Sequence, residues 1–242
     1  MNLPFKNIVF EESSHTYYDK TTGETFISVT TALKKFTKPF QKSFWLRKKS
    51  EDLGISIREL EKQWSDSAIT GSTSGSMLHL LIENRFRNKI IEPLFNVPQD
   101  CVDDLMLKYN ILKPMAEQFV DDHEHLNVVL QEGILQMGGL AGQIDMLTQN
   151  EDGTYTIWDF KTNKKLSTYS DKFLNELNHL KAWDENKFAL QLSCYQRMLE
   201  EIGYVISERK IVWFCVDNDA YELITLPYLK SEAELLINYD YN

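Results

Sequence analysis

The spacing of apolar residues along the chain predicts where helices and strands lie. Near the N-terminus, HTYYD and ETFISVT flank the turn sequence KTTG, which predicts a β-hairpin followed by a helix from about Thr31. Apolar residues then recur at helical spacing over 57–69, 76–88 and 100–122. We expect the segment TGSTSG to separate the first two of these helices, and Pro114 to kink the third.

Beyond residue 125 the apolar pattern becomes that of strands. The segments LNVVLQEGIL, LAGQIDMLT and TYTIWDFKT are short, rich in β-branched and aromatic residues, and separated by turn sequences, which predicts a three-stranded antiparallel meander. The pattern continues with a helix over ENKFALQLSCYQRMLEEI, a hairpin made of RKIVWFCV and AYELITL, and a last helix from about Ser231. This order predicts the α/β class, with helices layered around one central mixed β-sheet.

Length and composition bound the kind of protein. With 242 residues, 43% of them hydrophobic, and no repeat or low-complexity linker, the chain should form a single globular domain with a substantial core. No segment approaches the roughly 20 apolar residues of a membrane span, and the start of the chain lacks the pattern of a signal peptide. We therefore expect a cytoplasmic protein with no membrane partner. Three scattered cysteines without CxxC spacing predict reduced core residues rather than disulfides.

The distribution of charge matters more than its sum. A net charge of −10 argues against a nucleic-acid partner, but residues 32–50 contain basic and aromatic side chains and no acid. That mixture suits a phosphate chain with bases that can stack. The alternative interpretation is a solvated basic helix face with its aromatic residues packed inward. The residues are Lys34, Lys35, Lys38, Lys42, Arg47, Lys48 and Lys49, with Phe36, Phe40, Phe44 and Trp45 between them.

Two aspartates are predicted to lie on neighbouring strands. In IWDFKTN, Asp159 and Lys161 are two residues apart and so share one face of a strand. If the preceding turn is centred on 150–153, partner numbers sum to 303 or 304, and Asp145 faces Trp158 or Asp159. Carboxylates this close repel unless a cation lies between them, and oxygen ligands favour Mg²⁺ or Mn²⁺. The alternative is an ordinary ion pair of Asp159 and Lys161 on an exposed face.

The surroundings of Asp145 strengthen the case for a site. The glycines of GLAGQI, just before Asp145, allow another group to approach the backbone closely. Glu132, on the preceding strand, adds a third possible carboxylate. These features predict an acidic cluster on the meander.

The motifs, taken in order, resemble those of the PD-(D/E)XK nuclease superfamily. GQID is followed about a dozen residues later by DFK and then by QLSCY on a helix, and the likeness is to the RecB-type and phage exonuclease-like branch, to which the mitochondrial genome maintenance exonuclease is related. The resemblance implies a restriction-endonuclease-like core over 75–216. It leaves a hairpin and helical extension over 1–74 and a strand and helix over 217–242, all within one nuclease domain.

The resemblance also implies catalytic roles for individual residues. Asp145 and Asp159 match the two metal-binding acids of the family. Lys161 matches the lysine that positions the attacking water and stabilises developing charge. Gln191 and Tyr195 match its Q-x-x-x-Y helix motif, although a half-buried packing role for the tyrosine is the alternative.

Three further metal ligands are implied in the same way. His79 resembles an upstream histidine, Glu132 an acid that some members contribute, and the carbonyl of Phe160 completes the set. His79 and Glu83 also fit an ordinary polar pair on a helix. Ile144 stands where the named motif has proline. Members with an iron–sulfur cluster need four cysteines, so no cluster is expected here.

The expected function is that of a Mg²⁺- or Mn²⁺-dependent deoxyribonuclease, an exonuclease rather than a sequence-specific endonuclease. Its partner would be DNA with linear or single-stranded ends, in repair, recombination or phage DNA metabolism, and Lys164 and Lys165 would join the basic segment in binding it. The sequence has no P-loop, so a helicase or recombinase partner would be another chain. The alternatives are a non-catalytic DNA-binding or assembly subunit of the same fold, and an unrelated α/β protein.

Overall fold

A computed structural model describes residues 3–11, 14, 16–87, 90–91, 95–168, 171–217 and 219–241. The strands are β1 (Ile8–Glu11), β2 (Thr16–Asp19), β3 (Thr25–Ser28), β4 (Asn127–Met137), β5 (Leu140–Gln149), β6 (Tyr155–Lys161), β7 (Ile206–Cys215) and β8 (Ala220–Thr225). The α-helices are α1 (Val29–Lys35), α2 (Lys42–Leu53), α3 (Ile57–Arg87), α4 (Val102–Asp122), α5 (Asp184–Glu201) and α6 (Lys230–Asn238).

The chain divides into two compact units. The first comprises Met1–Lys38, His125–Trp213 and Glu222–Asn242, and it contains most of the sheet together with α1, α5 and α6. The second comprises Pro39–Glu124 and Phe214–Tyr221, and it contains α2, α3 and α4. The single domain over 1–242, with its three segments, stays a prediction.

The sheet is mixed. Its strand order is β1-β2-β3-β5-β6-β7-β8, with β4 paired to β5 off this path; β3 and β5 are parallel, as are β6 and β7. The β4–β5–β6 meander is antiparallel, and β5 pairs with β6 in a register in which partner numbers sum to 304. The predicted α/β class, a central mixed sheet flanked by helices as in restriction endonucleases, is confirmed.

Helix α5 carries the residues that reach the sheet in the first unit. Its sequence, DENKFALQLSCYQRMLEE, has no β-branched residue and begins with two acids, both of which favour a helix. Its buried side includes Gln191 and Tyr195 as well as apolar residues. Because these two residues are one turn apart, they lie on the same side of the helix.

Helix α3 in the second unit is one continuous helix of 31 residues, so the predicted break at TGSTSG is wrong. Hydroxyl groups in this segment donate to carbonyls of the preceding turn, as from Ser72 to Ile69 (3.1 Å) and from Ser74 to Gly71 (3.0 Å). Ser74 is buried, and α3 packs along α4 within this unit. Tertiary packing therefore outweighs the weak helix propensity of the segment.

The remaining predictions about elements have mixed outcomes. The hairpin β2–β3 and helices α4, α5 and α6 are confirmed, whereas β1 and a separate α2, which ends at Gly54 in the left-handed region (φ 66°), were missed. Pro114 lies inside α4, and a kink there stays a prediction. The three cysteines are buried and free, as predicted. Within the described ranges, no helix has both the length and the hydropathy of a membrane span.

Candidate active site

Three acidic residues stand on neighbouring strands of the first unit. The β4–β5 pairs on either side of Glu132 place it opposite Asp145. Between β5 and β6, Met146 pairs with Trp158, so the next position of the same register brings Asp145 to the level of Asp159. The predicted register of the two aspartates is therefore confirmed.

Hydrogen bonds fix two of these carboxylates. The backbone N–H of Phe160 donates to Asp145 Oδ2 at 2.7 Å, which holds that carboxylate against β6 beside Asp159. Gln143 Nε2 donates to Glu132 Oε2 at 2.5 Å. Glu132 and Asp145 offer carboxylate oxygens within 4.8 Å of each other. The backbone of Glu132 lies in the left-handed region (φ 51°), a strained conformation for a residue with a side chain.

Asp159 and Lys161 lie on one face of β6, as predicted. Lys161 Nζ is 2.5 Å from Asp159 Oδ2, and Asp159 is only 2% exposed, so the pair is not the exposed surface pair of the alternative interpretation. Burial lowers the pKa of Lys161, but attraction by Asp159 and Asp145 and the hydrogen bond to Asp159 outweigh burial. The pKa of Lys161 is therefore raised, and the side chain stays an ammonium at neutral pH.

The two helix residues reach the strand acids through one amide. Gln191 Nε2 donates to Asp159 Oδ1 at 3.3 Å and to the Tyr195 hydroxyl at 3.2 Å. Burial is the main reason that the pKa of Tyr195 lies well above its usual value, so the phenol stays protonated. Of the predicted pair on α5, Gln191 thus contacts the predicted acid on β6, and Tyr195 contacts Gln191.

Gly142 on β5 leaves space for the ring of Tyr195. A Cβ atom added at Gly142 would lie 2.4 Å from Cε1 and 2.7 Å from the hydroxyl oxygen of Tyr195. Only a residue without a side chain lets the ring lie this close to the strand. The prediction that glycine in GLAGQI permits a close approach is confirmed at Gly142.

Two polar residues of the site were missed by sequence reasoning. Tyr17 on β2 has a pKa raised to about 12, first by burial and then by the negative charges of Glu132 and Asp145. Gln143 orients Glu132. Its position two residues before Asp145 on a strand could have indicated it, because residues at that spacing share a face. No local pattern indicates Tyr17. Its strand, β2, is connected to β5 only through β3, and β3 and β5 are more than a hundred residues apart in sequence.

Two further predicted metal ligands lie on α3 and on β6. His79 lies on α3 in the second unit, where its neighbour Glu83 pairs with Arg87 at 2.7 Å. Phe160 lies on β6, and its N–H contacts Asp145. The His79 ring and the Phe160 carbonyl stay predicted ligands.

The basic residues divide into two groups. Three engage partners of their own unit: Lys35 Nζ donates to the Tyr241 carbonyl at 2.6 Å, Lys38 pairs with Asp171 at 3.0 Å, and Lys42 pairs with Glu61 at 2.6 Å. The other six are exposed on α1, on α2 or after β6. They are Lys34, Arg47, Lys48, Lys49, Lys164 and Lys165.

The aromatic residues of the same segment do not all pack inward. Phe36 is buried in the core of the first unit, as the alternative interpretation expects. Phe40, Phe44 and Trp45 are 66%, 52% and 37% exposed. The inward-packing interpretation is therefore wrong for Phe40 and Phe44, whereas the larger part of Trp45 is covered.

The donor set fits a hard divalent cation. Glu132, Asp145 and Asp159 supply only oxygen atoms from adjacent strands, Glu132 and Asp145 are half-buried, and no thiolate lies among the three. Mg²⁺ and Mn²⁺ prefer such ligands, whereas zinc sites draw on thiolate and imidazole.

Comparisons with known proteins give one family. The family model of the PD-(D/E)XK nuclease superfamily matches residues 50–235. A crystal structure of a candidate exonuclease from Eubacterium rectale is similar over 69% of this chain and 63% of its own, at 12% identity and a TM-score of 0.43. The structure of SSO0001 is similar over 58% of each chain, at 19% identity and a TM-score of 0.29. The chain thus spans less than two thirds of either one, and no curated protein matches it in sequence.

Proposed function

The chain belongs to the PD-(D/E)XK nuclease superfamily, and from this premise we propose that it is a metal-dependent deoxyribonuclease that degrades DNA from its ends. One observation carries the proposal. The amide of Gln191 on α5 and the ammonium of Lys161 both contact Asp159, and Asp145 is held at the neighbouring backbone. These are the residues that the family motifs name.

The proposed cofactor is Mg²⁺ or Mn²⁺. Asp145, Asp159 and Glu132 would hold it, with the His79 ring and the Phe160 carbonyl as further ligands. When bound, such an ion polarises a phosphate oxygen and lowers the pKa of a coordinated water.

The chain's own residues supply fixed charge and orientation. Because its pKa is raised, Lys161 donates hydrogen bonds to the attacking water or to a phosphate oxygen and does not act as a general base. Gln191 orients Asp159 through Oδ1, and Tyr195 in turn holds Gln191. The Phe160 N–H fixes Asp145, so the two acids are positioned before substrate arrives.

Substrate contact is proposed to fall to the exposed basic residues, which separates phosphate binding from the acidic centre. Lys164 and Lys165 follow the strand that carries Asp159, and Lys34 lies in the last turn of α1 in the same unit. Lys35, Lys38 and Lys42 would contribute only by exchanging their present partners for phosphate. This arrangement reconciles an acidic chain with a polyanionic substrate.

The same proposal covers the substrate ends, the location and the pathway. We propose that the protein attacks linear or single-stranded ends and acts in the cytoplasm, in repair, recombination or phage DNA metabolism. A helicase or recombinase would be a separate chain.

The test is degradation of labelled linear DNA by the purified protein. We expect cleavage with Mg²⁺ or Mn²⁺, no cleavage with a chelator, and a loss of about 100-fold or more in Asp159→Asn and in Lys161→Ala. The matched controls are Asp103→Asn and Lys113→Ala, which change exposed charges on α4. Sparing of closed circular DNA would distinguish an exonuclease from an endonuclease. Binding of DNA without cleavage under all these conditions would favour a non-catalytic subunit.

A further inference from the structure

Helix α2 in the second unit presents an unusual surface. Leu46 is the one residue of this helix that the structure describes as buried. On α2, Phe44 is 52%, Trp45 37% and Leu53 59% exposed, and Phe40, just before the helix, is 66% exposed. Exposed apolar patches of this kind usually mark a binding surface, because leaving several large aromatic rings in water is unfavourable.

The rings meet in two pairs. Phe44 and Trp45 meet edge to face, with centroids 5.4 Å apart, and the Phe40 centroid lies 6.1 Å from that of Trp64 on α3. Lys48 Nζ lies 5.3 Å from the centre of the Trp45 ring. We call Phe44 and Trp45 the aromatic patch.

The net charge of α2 is positive. Arg47, Lys48 and Lys49 are exposed on this helix, and its four basic residues outnumber its two acids, Glu51 and Asp52. An apolar surface that binds another protein usually has few charges at its centre, whereas cations interleaved with rings match phosphates and bases. The chemistry of the surface therefore favours a nucleic-acid chain as the occupant.

We propose that the aromatic patch binds single-stranded DNA by stacking on unpaired bases, with Arg47, Lys48 and Lys49 contacting its phosphates. Aromatic side chains can stack only on bases whose faces are open. In a duplex those faces are already covered by neighbouring base pairs, so the rings contribute little there. The patch thus selects single strands, whereas the lysines attract both forms of DNA.

This inference rests on the proposed nuclease function and adds to it a surface that distinguishes single strands from duplexes. It places recognition of the single strand on α2, away in sequence from the acids of the meander. Binding and cleavage can therefore be measured separately.

The first experiment measures binding in the presence of a chelator, by fluorescence anisotropy with labelled oligothymidylate of about 20 nucleotides and with its duplex. Each stacked base supports roughly a 5- to 150-fold gain in affinity, so the Phe44→Ala, Trp45→Ala double variant should lose at least about 25-fold for the single strand. Its affinity for the duplex should change less than about twofold.

Two controls separate stacking from other effects. Leu107→Ala removes an exposed apolar side chain (63% exposed) from α4 and should change neither affinity. Lys49→Gln should weaken both forms and reduce the salt dependence of binding, because phosphate contact is common to both.

A second comparison addresses the nature of the surface. The Phe44→Leu, Trp45→Leu double variant keeps an apolar surface but removes the π faces, so it should behave like the alanine variant. The unmodified protein should bind an abasic strand of the same length more weakly than oligothymidylate, by a similar factor. This arm needs no variant to fold.

Three results would overturn the inference: equal affinity of the wild type for both forms, unchanged binding by the double variants, or a double variant that alters only the oligomeric state in sedimentation. The last result would identify a second copy of the chain as the occupant. A wild type that degrades DNA without preferring single strands refutes this inference alone. A wild type that prefers single strands but cleaves nothing with Mg²⁺ or Mn²⁺ refutes the nuclease proposal alone.

Discussion

The substitution Gly142→Ala would place a methyl group where the ring of Tyr195 lies. The added Cβ atom would be 2.4 Å from Cε1 and 2.8 Å from Cζ, distances that real Cβ contacts do not show. The ring cannot yield cheaply, because Tyr195 is only 3% exposed and its hydroxyl accepts a hydrogen bond from Gln191. Overpacking of this kind costs about 1–3 kcal/mol, so the melting temperature should fall by about 2–4 °C for each kcal/mol.

Displacement of the Tyr195 ring should also slow DNA cleavage. Tyr195 holds Gln191, which donates to Asp159, so a shift of the ring moves the amide that orients this acid. Misplacement by about 1 Å in a catalytic arrangement costs roughly 100-fold, and we expect cleavage of linear DNA to slow by about 10- to 100-fold. DNA affinity in chelator should stay unchanged, because the substitution touches no exposed basic residue.

Gly71→Ala is the matched control. An added Cβ at Gly71 meets nothing within 4 Å, and the residue lies inside α3, where alanine is favoured by about 0.5–1 kcal/mol. Thermal unfolding and single-turnover cleavage of both variants form the assay. In the Tyr195→Leu background the penalty of Gly142→Ala should shrink, because the ring is gone. Equal penalties in both backgrounds, within about 0.5 kcal/mol, would refute the reasoning.

Two further predictions concern backbone strain and buried thiols. Because the left-handed backbone at Glu132 (φ 51°) disfavours any residue with a Cβ, Glu132→Gly should be about 1 kcal/mol more stable than Glu132→Ala in chemical denaturation, and equal stability would contradict the strain. Burial raises the pKa of Cys194 to about 12, so a thiolate reagent should leave it unmodified until the protein unfolds. The unfolded thiol ionises from about pH 8.5, so stability should fall by about 2 kcal/mol between about pH 8 and pH 10 relative to Cys194→Ala, and a pH-independent difference would contradict the burial.

The register of the site was predictable because it depends on short-range rules. Side chains alternate along a strand, and a tight turn near 150–153 fixes which residues face each other, so Asp145 and Asp159 were placed correctly from the sequence. Gly142 was predictable in kind, since glycine in a strand indicates a close approach. The sequence alone did not name Tyr195 as the group that approaches.

Other features depend on tertiary contacts that no local pattern encodes. The segment TGSTSG reads as a break, yet packing between α3 and α4 and the serine hydroxyl bonds keep the helix continuous. Tyr17 joins the site through the pairing of β3 with β5, which the hairpin sequence does not reveal. The exposure of Phe44 and Trp45 could not be predicted from the sequence either, because α2 lacks a clear apolar stripe.

The central claim, that the acids of adjacent strands form one centre for a hard cation, is tested most directly by titrating Mn²⁺ and counting bound ions by electron paramagnetic resonance. The wild type should bind Mn²⁺ at submillimolar concentration, and Mg²⁺ should compete for the site. The Asp145→Asn, Asp159→Asn double variant should bind at least about tenfold more weakly, while Asp103→Asn binds as the wild type does. No saturable binding by the wild type at millimolar Mn²⁺, or unchanged binding by the double variant, would contradict the account.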